Sequence, residues 1–178
     1  DKEIKGLLNV LPQMPKLYGR MVYCLLFLGM RFCELAKLDV NAIKQNDDGT
    51  YYLDLWQYKT QAVNEKPIFE TTIKIMLAEI ERNKKRFGEE NVKYVFVTEK
   101  NTPVNIGTIN ENINKVLVKN NVLGRDGKIL HVTTHRFRAT VATNLISEGT
   151  SVDIAAQLLG QTTLSSLSHY ATVTTDVV

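Results

Sequence analysis

The chain has 178 residues, 44% hydrophobic and 23% charged, a balance that fits one ordinary globular domain or at most two small ones and excludes a disordered tail or a collagen-like repeat. Lys and Arg number 22 against 19 Asp and Glu, a formal charge of +3, which tolerates an anionic partner without demanding one. No window approaches the roughly 18 uninterrupted apolar residues of a membrane span, and two cysteines make no disulfide framework.

The opening Asp1-Lys2-Glu3-Ile4-Lys5 has neither an initiating Met nor an apolar signal region, so a fragment of a longer protein is expected. Pro12 and Pro15 punctuate the start. Leu17, Met21, Cys24, Leu25 and Leu28 then recur at the spacing of one buried helical face, with Gly29 as the expected stop. A second helix is predicted over 31–38, with Leu35 and Leu38 inward and Glu34 one turn after Arg31. Cys24 and Cys33 would fall on opposite faces of a shared helix; both are read as buried thiols in a reducing cytoplasm.

Asp47-Asp48-Gly49 signals a turn, and 51–56 is an aromatic, alternating run of strand type. Residues 66–69 are its expected antiparallel partner, with Pro67 tolerated only toward a strand end or edge and Lys59 near the connecting turn. From Thr71 the helical period returns, with Ile73, Leu77, Ile80 and Phe87 on one face and Gly88 as the cap. Its last turn, Lys84-Lys85-Arg86, is read as a solvated complement to the helix dipole. Residues 94–97 form a short buried extended run, and Asn105 is placed to cap a helix with Ile106, Ile109, Ile113 and Val116 inward. After a loop at 124–127, Thr134 is placed to cap a helix over about 135–148, followed by helices beginning at Ser151 and Leu164. The predicted architecture is mainly α with a small antiparallel β-sheet, in a single domain over 1–178.

The residues suited to chemistry are few. His135 and Arg138 are three apart, hence neighbours on one helical face near its positive end, where two donors can hold an oxyanion. Arg31 follows Gly29-Met30 at a helix start, and Glu34 one turn on is placed to fix its guanidinium. His131 and His135 are four apart, but no Cys or third His completes a zinc set, and the stretch between them reads as extended chain. Each feature alone is weak.

Order and spacing together carry more. The segment 27–35 with its Arg31-x-x-Glu34-Leu35, then Tyr58-Lys59-Thr60, His135-x-x-Arg138, Leu158-Leu159-Gly160-Gln161 and Tyr170 resembles the catalytic domain of tyrosine recombinases, the phage-integrase family. The resemblance covers nearly the whole chain from about Leu17 onward. It implies a site-specific recombinase or integrase acting in transposition or integration, with Tyr170 as nucleophile and Arg31, Lys59, His135, Arg138 and Gln161 completing the catalytic set. Glu34 supports Arg31, and Arg136 and Lys66 are expected DNA contacts. No cofactor or metal is expected. The implied partners are double-stranded DNA and further copies of the chain, in a homotetramer at a DNA synapse, with a cytoplasmic, nucleoid-associated location and no membrane. A separate N-terminal DNA-binding domain is expected upstream. The sequence departs from the family pattern at Gln161, where most members have His or Trp; an amide still donates hydrogen bonds but does not titrate. Two alternatives stay open at this point: a type IB topoisomerase-like relaxer, and a DNA-binding module of the same fold with lapsed catalysis.

Overall fold

A computed structural model of the chain describes residues 2–57, 62–68 and 70–137, the backbone alone for 56–57 and 62–67. It opens on a helix the sequence pattern did not single out, α1 (Lys2–Val10), which buries Leu7 and Val10 and packs on α5. A single turn, Leu11–Gln13, leads to α2 (Lys16–Leu28), whose Met21, Val22, Cys24 and Leu25 are wholly buried. This is the predicted apolar face. Gly29 ends α2 as expected: it takes the left-handed conformation at φ 64° and donates its N–H to the Leu25 carbonyl at 3.0 Å.

Next comes α3 (Phe32–Ala36), shorter than the predicted 31–38. Leu38 is buried as expected but lies beyond the helix, because its carbonyl accepts from Val95 and Val40 donates to Lys93, pairing the chain with the extended run 93–97. Asn83 ties the same run to α4, its Nδ2 donating to the Val95 carbonyl at 3.0 Å inside the protein. Cys33 corrects the reading of two buried thiols. It sits on α3, not on the helix of Cys24, and is exposed.

Among the described residues three strands form one antiparallel sheet in the order β1 (Ile43–Gln45), β2 (Tyr51–Gln57), β3 (Ala62–Ile68). The sequence pattern signalled β2 and β3 but not the three-residue β1. Pro67 pairs with Tyr52 near the end of β3, an edge strand, where a missing N–H leaves no ladder bond unmade on the open side. In the long helix α4 (Glu70–Phe87) the buried stripe is Thr72, Ile73, Met76, Glu79, Ile80 and Asn83. Leu77, expected inward, is exposed because it lies about 100° round the helix from Met76, at the middle of that stripe; Phe87 is half-buried. Lys84, in the last turn, pairs with Glu81 and Glu89.

The last complete helix described is α5 (Ile106–Lys119), capped as predicted: Asn105 Oδ1 accepts from the Gly107 N–H at 2.7 Å. Ile109, Ile113 and Leu117 are buried, Val116 is partly so, and Ile106 is exposed in the first turn, beyond the edge of the core. Val132 and Phe137 join the same hydrophobic cluster as α2, α3, α4 and α5. The predicted helices past residue 137 lie outside the described residues.

Candidate active site

Arg31 owes its place to three consecutive backbone choices. Gly29 turns the chain out of α2, Met30 drops into the core with no exposed surface, and Arg31 takes an extended conformation as the residue before α3. Its carbonyl accepts from the N–H groups of Glu34 and Leu35, so it is bound into the helix start. Its Nη1 donates to Glu34 Oε1 at 2.9 Å, with the arginine side chain 27% exposed and the glutamate 15%. That one bond is the only hydrogen bond of its guanidinium among the described residues, and it engages one of five donors. A partly exposed guanidinium held at one corner by a carboxylate suits bidentate binding of a phosphate.

The second part of the site is the segment 131–137, without regular secondary structure through Thr133 and helical from 134. Thr134 does not cap this helix as predicted. It is already helical, and its own N–H is capped from outside: Asn110 Oδ1, on α5, accepts it at 3.0 Å. One turn along α5, Asn114 pairs with Val132 in both directions, its Oδ1 accepting from the Val132 N–H at 3.1 Å and its Nδ2 donating to the Val132 carbonyl at 2.8 Å. Phe137 and Thr134 are buried while His135 and Arg136 are exposed, so the helix turns His135 outward from an anchored base.

Arg136, an expected DNA contact, is joined to Glu3 on α1, Nη2 to Oε2 at 2.8 Å. The other Glu3 oxygen accepts the Arg125 N–H at 2.9 Å, so one carboxylate ties together α1, the 124–127 loop and the start of the His135 helix. Lys66 lies on β3 in register with Leu53. Lys59, Arg138, Gln161 and Tyr170 lie outside the described residues. Asn110, Asn114 and Glu3 were not singled out from sequence. The available signal was Asn-x-x-x-Asn at helical spacing inside α5, since asparagine is a poor helix former unless its amide is otherwise engaged.

Among the described residues no group of three His, Cys, Asp or Glu side chains is placed to hold a metal ion, and no helix is long and apolar enough to cross a membrane.

The model of the phage integrase family matches residues 1–176. Transposase B from transposon Tn554 of Staphylococcus aureus is 25% identical over 161 residues, covering 90% of this chain and 25% of the transposase. Among solved structures, the XerH site-specific recombinase in a post-cleavage complex with palindromic difH DNA superposes with a TM-score of 0.78 at 15% identity, over 99% of this chain and 50% of that one. A lambda integrase tetramer on a Holliday junction gives 0.68 at 18% identity, over 94% and 46%. The chain thus spans about a quarter of the transposase and half of the XerH chain, and it shares the fold of the solved recombinases.

Proposed function

Because the chain belongs to the phage integrase family, we propose that it is the catalytic part of a tyrosine recombinase that cuts and rejoins DNA strands at specific sites, in transposition or integration. The observation that carries this reading is the setting of Arg31: a partly exposed guanidinium fixed by Glu34 at a helix start. Such a group suits a phosphodiester, whose non-bridging oxygens gain charge in the transition state.

In the proposed reaction Tyr170 Oη attacks the phosphorus, forming the 3′-phosphotyrosyl bond as the bond to the 5′-oxygen breaks. Tyrosine has an ordinary pKa of about 10, so the phenol must give up its proton in a cationic setting. His135 accepts that proton, Gln161 donates an amide hydrogen bond, and the guanidinium groups of Arg31 and Arg138 neutralise the phosphate oxygens. Lys59 protonates the departing 5′-oxygen. The 5′-hydroxyl of a partner strand then attacks the phosphotyrosine, returning the phenol and sealing the new junction. The covalent intermediate conserves the energy of the cut bond, so the scheme calls on neither ATP nor a metal.

The substrate in this reading is duplex DNA, held by a clamp whose other half is a DNA-binding domain outside this chain. The synapse is a homotetramer, the arrangement in which the lambda integrase relative was solved on a Holliday junction. The protein would work in the cytoplasm, on nucleoid DNA.

The test is a nicked suicide duplex carrying the cognate site, recovered by selection from a random duplex library. The wild-type chain in its full-length protein is expected to give a covalent adduct resistant to denaturant and formed equally in EDTA, and Tyr170→Phe to give none. An adduct formed by the phenylalanine variant overturns the nucleophile assignment, and an adduct that EDTA abolishes overturns the metal-free scheme.

A further inference from the structure

We propose that Asn110 and Asn114 are positioning residues that fix the register of the segment 132–134 and thereby the place of His135, an inference that rests on the reading of His135 as a catalytic group. Four residues of α-helix rise about 6 Å, and two residues of extended chain advance about 6.6 Å. Asn110 and Asn114 are therefore spaced like Thr134 and Val132, the chain running antiparallel to α5. The three bonds, Thr134 N–H to Asn110 Oδ1 at 3.0 Å and the two-way pair of Asn114 with Val132 at 3.1 and 2.8 Å, use that match. Asn114 acts as one rung of a β-ladder presented from a helix, and Asn110 as a cap supplied to a helix start by a different helix.

The pairing specifies register because it is alternate. Thr133, between the two anchored residues, is exposed, and its N–H makes no hydrogen bond among the described residues. A slip by one residue would offer Thr133 to the clamp and turn Val132 and Thr134, both buried, toward water. His135 is the first residue past the clamp, so its ring is located by a helix start that its own sequence does not cap. The clamp also borders a cavity of about 590 Å³ lined by Asn110, Asn114, Lys115, Lys119, His131 and Thr133, which leaves the anchored stretch open to solvent on one side. The buried Val132 and Thr134 side chains hold the stretch on its inner side, and the three hydrogen bonds set its register along α5.

Hydrogen exchange and the ring signals of His135, assigned with His135→Gln, test the clamp independently of DNA cleavage. In the wild-type protein the Val132 and Thr134 amides are expected to be protected and the Thr133 amide to exchange fast. Asn110→Ala is expected to shift the His135 ring signals and to lower single-turnover cleavage at saturating DNA about 10-fold or more. Asn110→Asp, which keeps the acceptor for Thr134 N–H, is expected to restore both toward wild type. A Thr134 amide as fast as that of Thr133, unmoved His135 signals in a folded Asn110→Ala protein, or an aspartate variant no better than alanine each overturns the proposal. If Asn110→Ala does not fold, wild-type amide protection and Asn110→Asp decide it. If His135→Gln cleaves at the wild-type rate, the catalytic reading of His135 fails, and the positioning role for the reaction falls with it, whereas the exchange and ring signals still report the register.

Discussion

Glu3 and Arg136, 133 positions apart in the chain, meet at 2.8 Å and join the first helix to the segment that carries His135. The arginine side chain is 48% exposed and the glutamate 13%. Such a half-solvated pair contributes about 0–1 kcal/mol, little enough for a phosphate group to compete for the guanidinium. The cation expected to contact DNA is therefore tied to Glu3 by a bond weak enough to exchange, beside the bond its Nη1 donates to the His131 carbonyl at 3.4 Å.

That balance predicts the behaviour of Glu3→Gln. Glutamine keeps an acceptor for the Arg125 N–H and removes the charge that holds Arg136. DNA affinity at low salt should rise, and the slope of log K against log salt should steepen by up to about 0.9, the increment for one more neutralised phosphate. Stability should change by less than about 1 kcal/mol. Fluorescence anisotropy across a salt series measures the slope; an unchanged slope would leave Arg136 as a structural tie alone.

Arg31 and Glu34 should separate charge from geometry. Arg31→Lys keeps a cation beside Glu34 but loses the planar fork, and single-turnover cleavage should fall about 100- to 1,000-fold, the scale seen when one donor to a developing oxyanion is removed. Glu34→Gln leaves the guanidinium intact with a neutral partner at 2.9 Å, so the loss should be smaller, about 10-fold. Cleavage at saturating DNA, with thermal melting as the folding control, distinguishes the two. Equal losses would show that the carboxylate does more than orient.

The two cysteines should differ in reactivity and in their effect on stability with pH. Burial, with the Glu79 carboxylate as the lesser cause, pushes the Cys24 thiol up to about 12 from an ordinary 9.0, whereas Cys33 is exposed. A thiol-labelling reagent at neutral pH should modify one cysteine in the native protein and two in denaturant. Because the folded state keeps the Cys24 proton that the unfolded state releases, this contribution to stability is intact below about pH 9 and is lost as pH climbs toward 12. Denaturant midpoints for wild type and Cys24→Ala should therefore converge across that window; a constant gap would mean that Cys24 does not titrate differently in the two states.

Legibility in the sequence followed the range of the interactions. Period and caps are local, so the buried face of α2, the Gly29 stop, the Asn105 cap and the β2–β3 hairpin could be read from neighbours in the chain. The helix after Arg31 ended early because Leu38 pairs with Val95, 57 positions away, and no local signal announces that. Leu77 shows the same limit: its spacing fits a stripe with Ile73 and Ile80, but polar Glu79 and Asn83 occupy the core-facing positions. Each has a remote partner, Arg20 for Glu79 and the Val95 carbonyl for Asn83. At the candidate site the charged residues were legible as motifs, whereas the amides and the carboxylate that hold them, Asn110, Asn114 and Glu3, act across 18 to 133 positions.

Gly29 links the helix that forms the core to the arginine that faces outward, and its φ of 64° makes it the position where a small change should reach both. An L-residue with a Cβ pays about 1–2 kcal/mol in this conformation, so Gly29→Ala should lower stability by that amount. Asparagine enters the left-handed region more readily, and Gly29→Asn should lose less. β-Branched side chains fit it worst, and Gly29→Val should lose most. If the turn also directs Met30 into the core and Arg31 out of it, cleavage by the folded fraction should fall in the same order, asparagine least and valine most. Denaturant unfolding and single-turnover cleavage on the three variants measure the two effects separately. Losses of stability without losses of cleavage rate would confine Gly29 to ending α2.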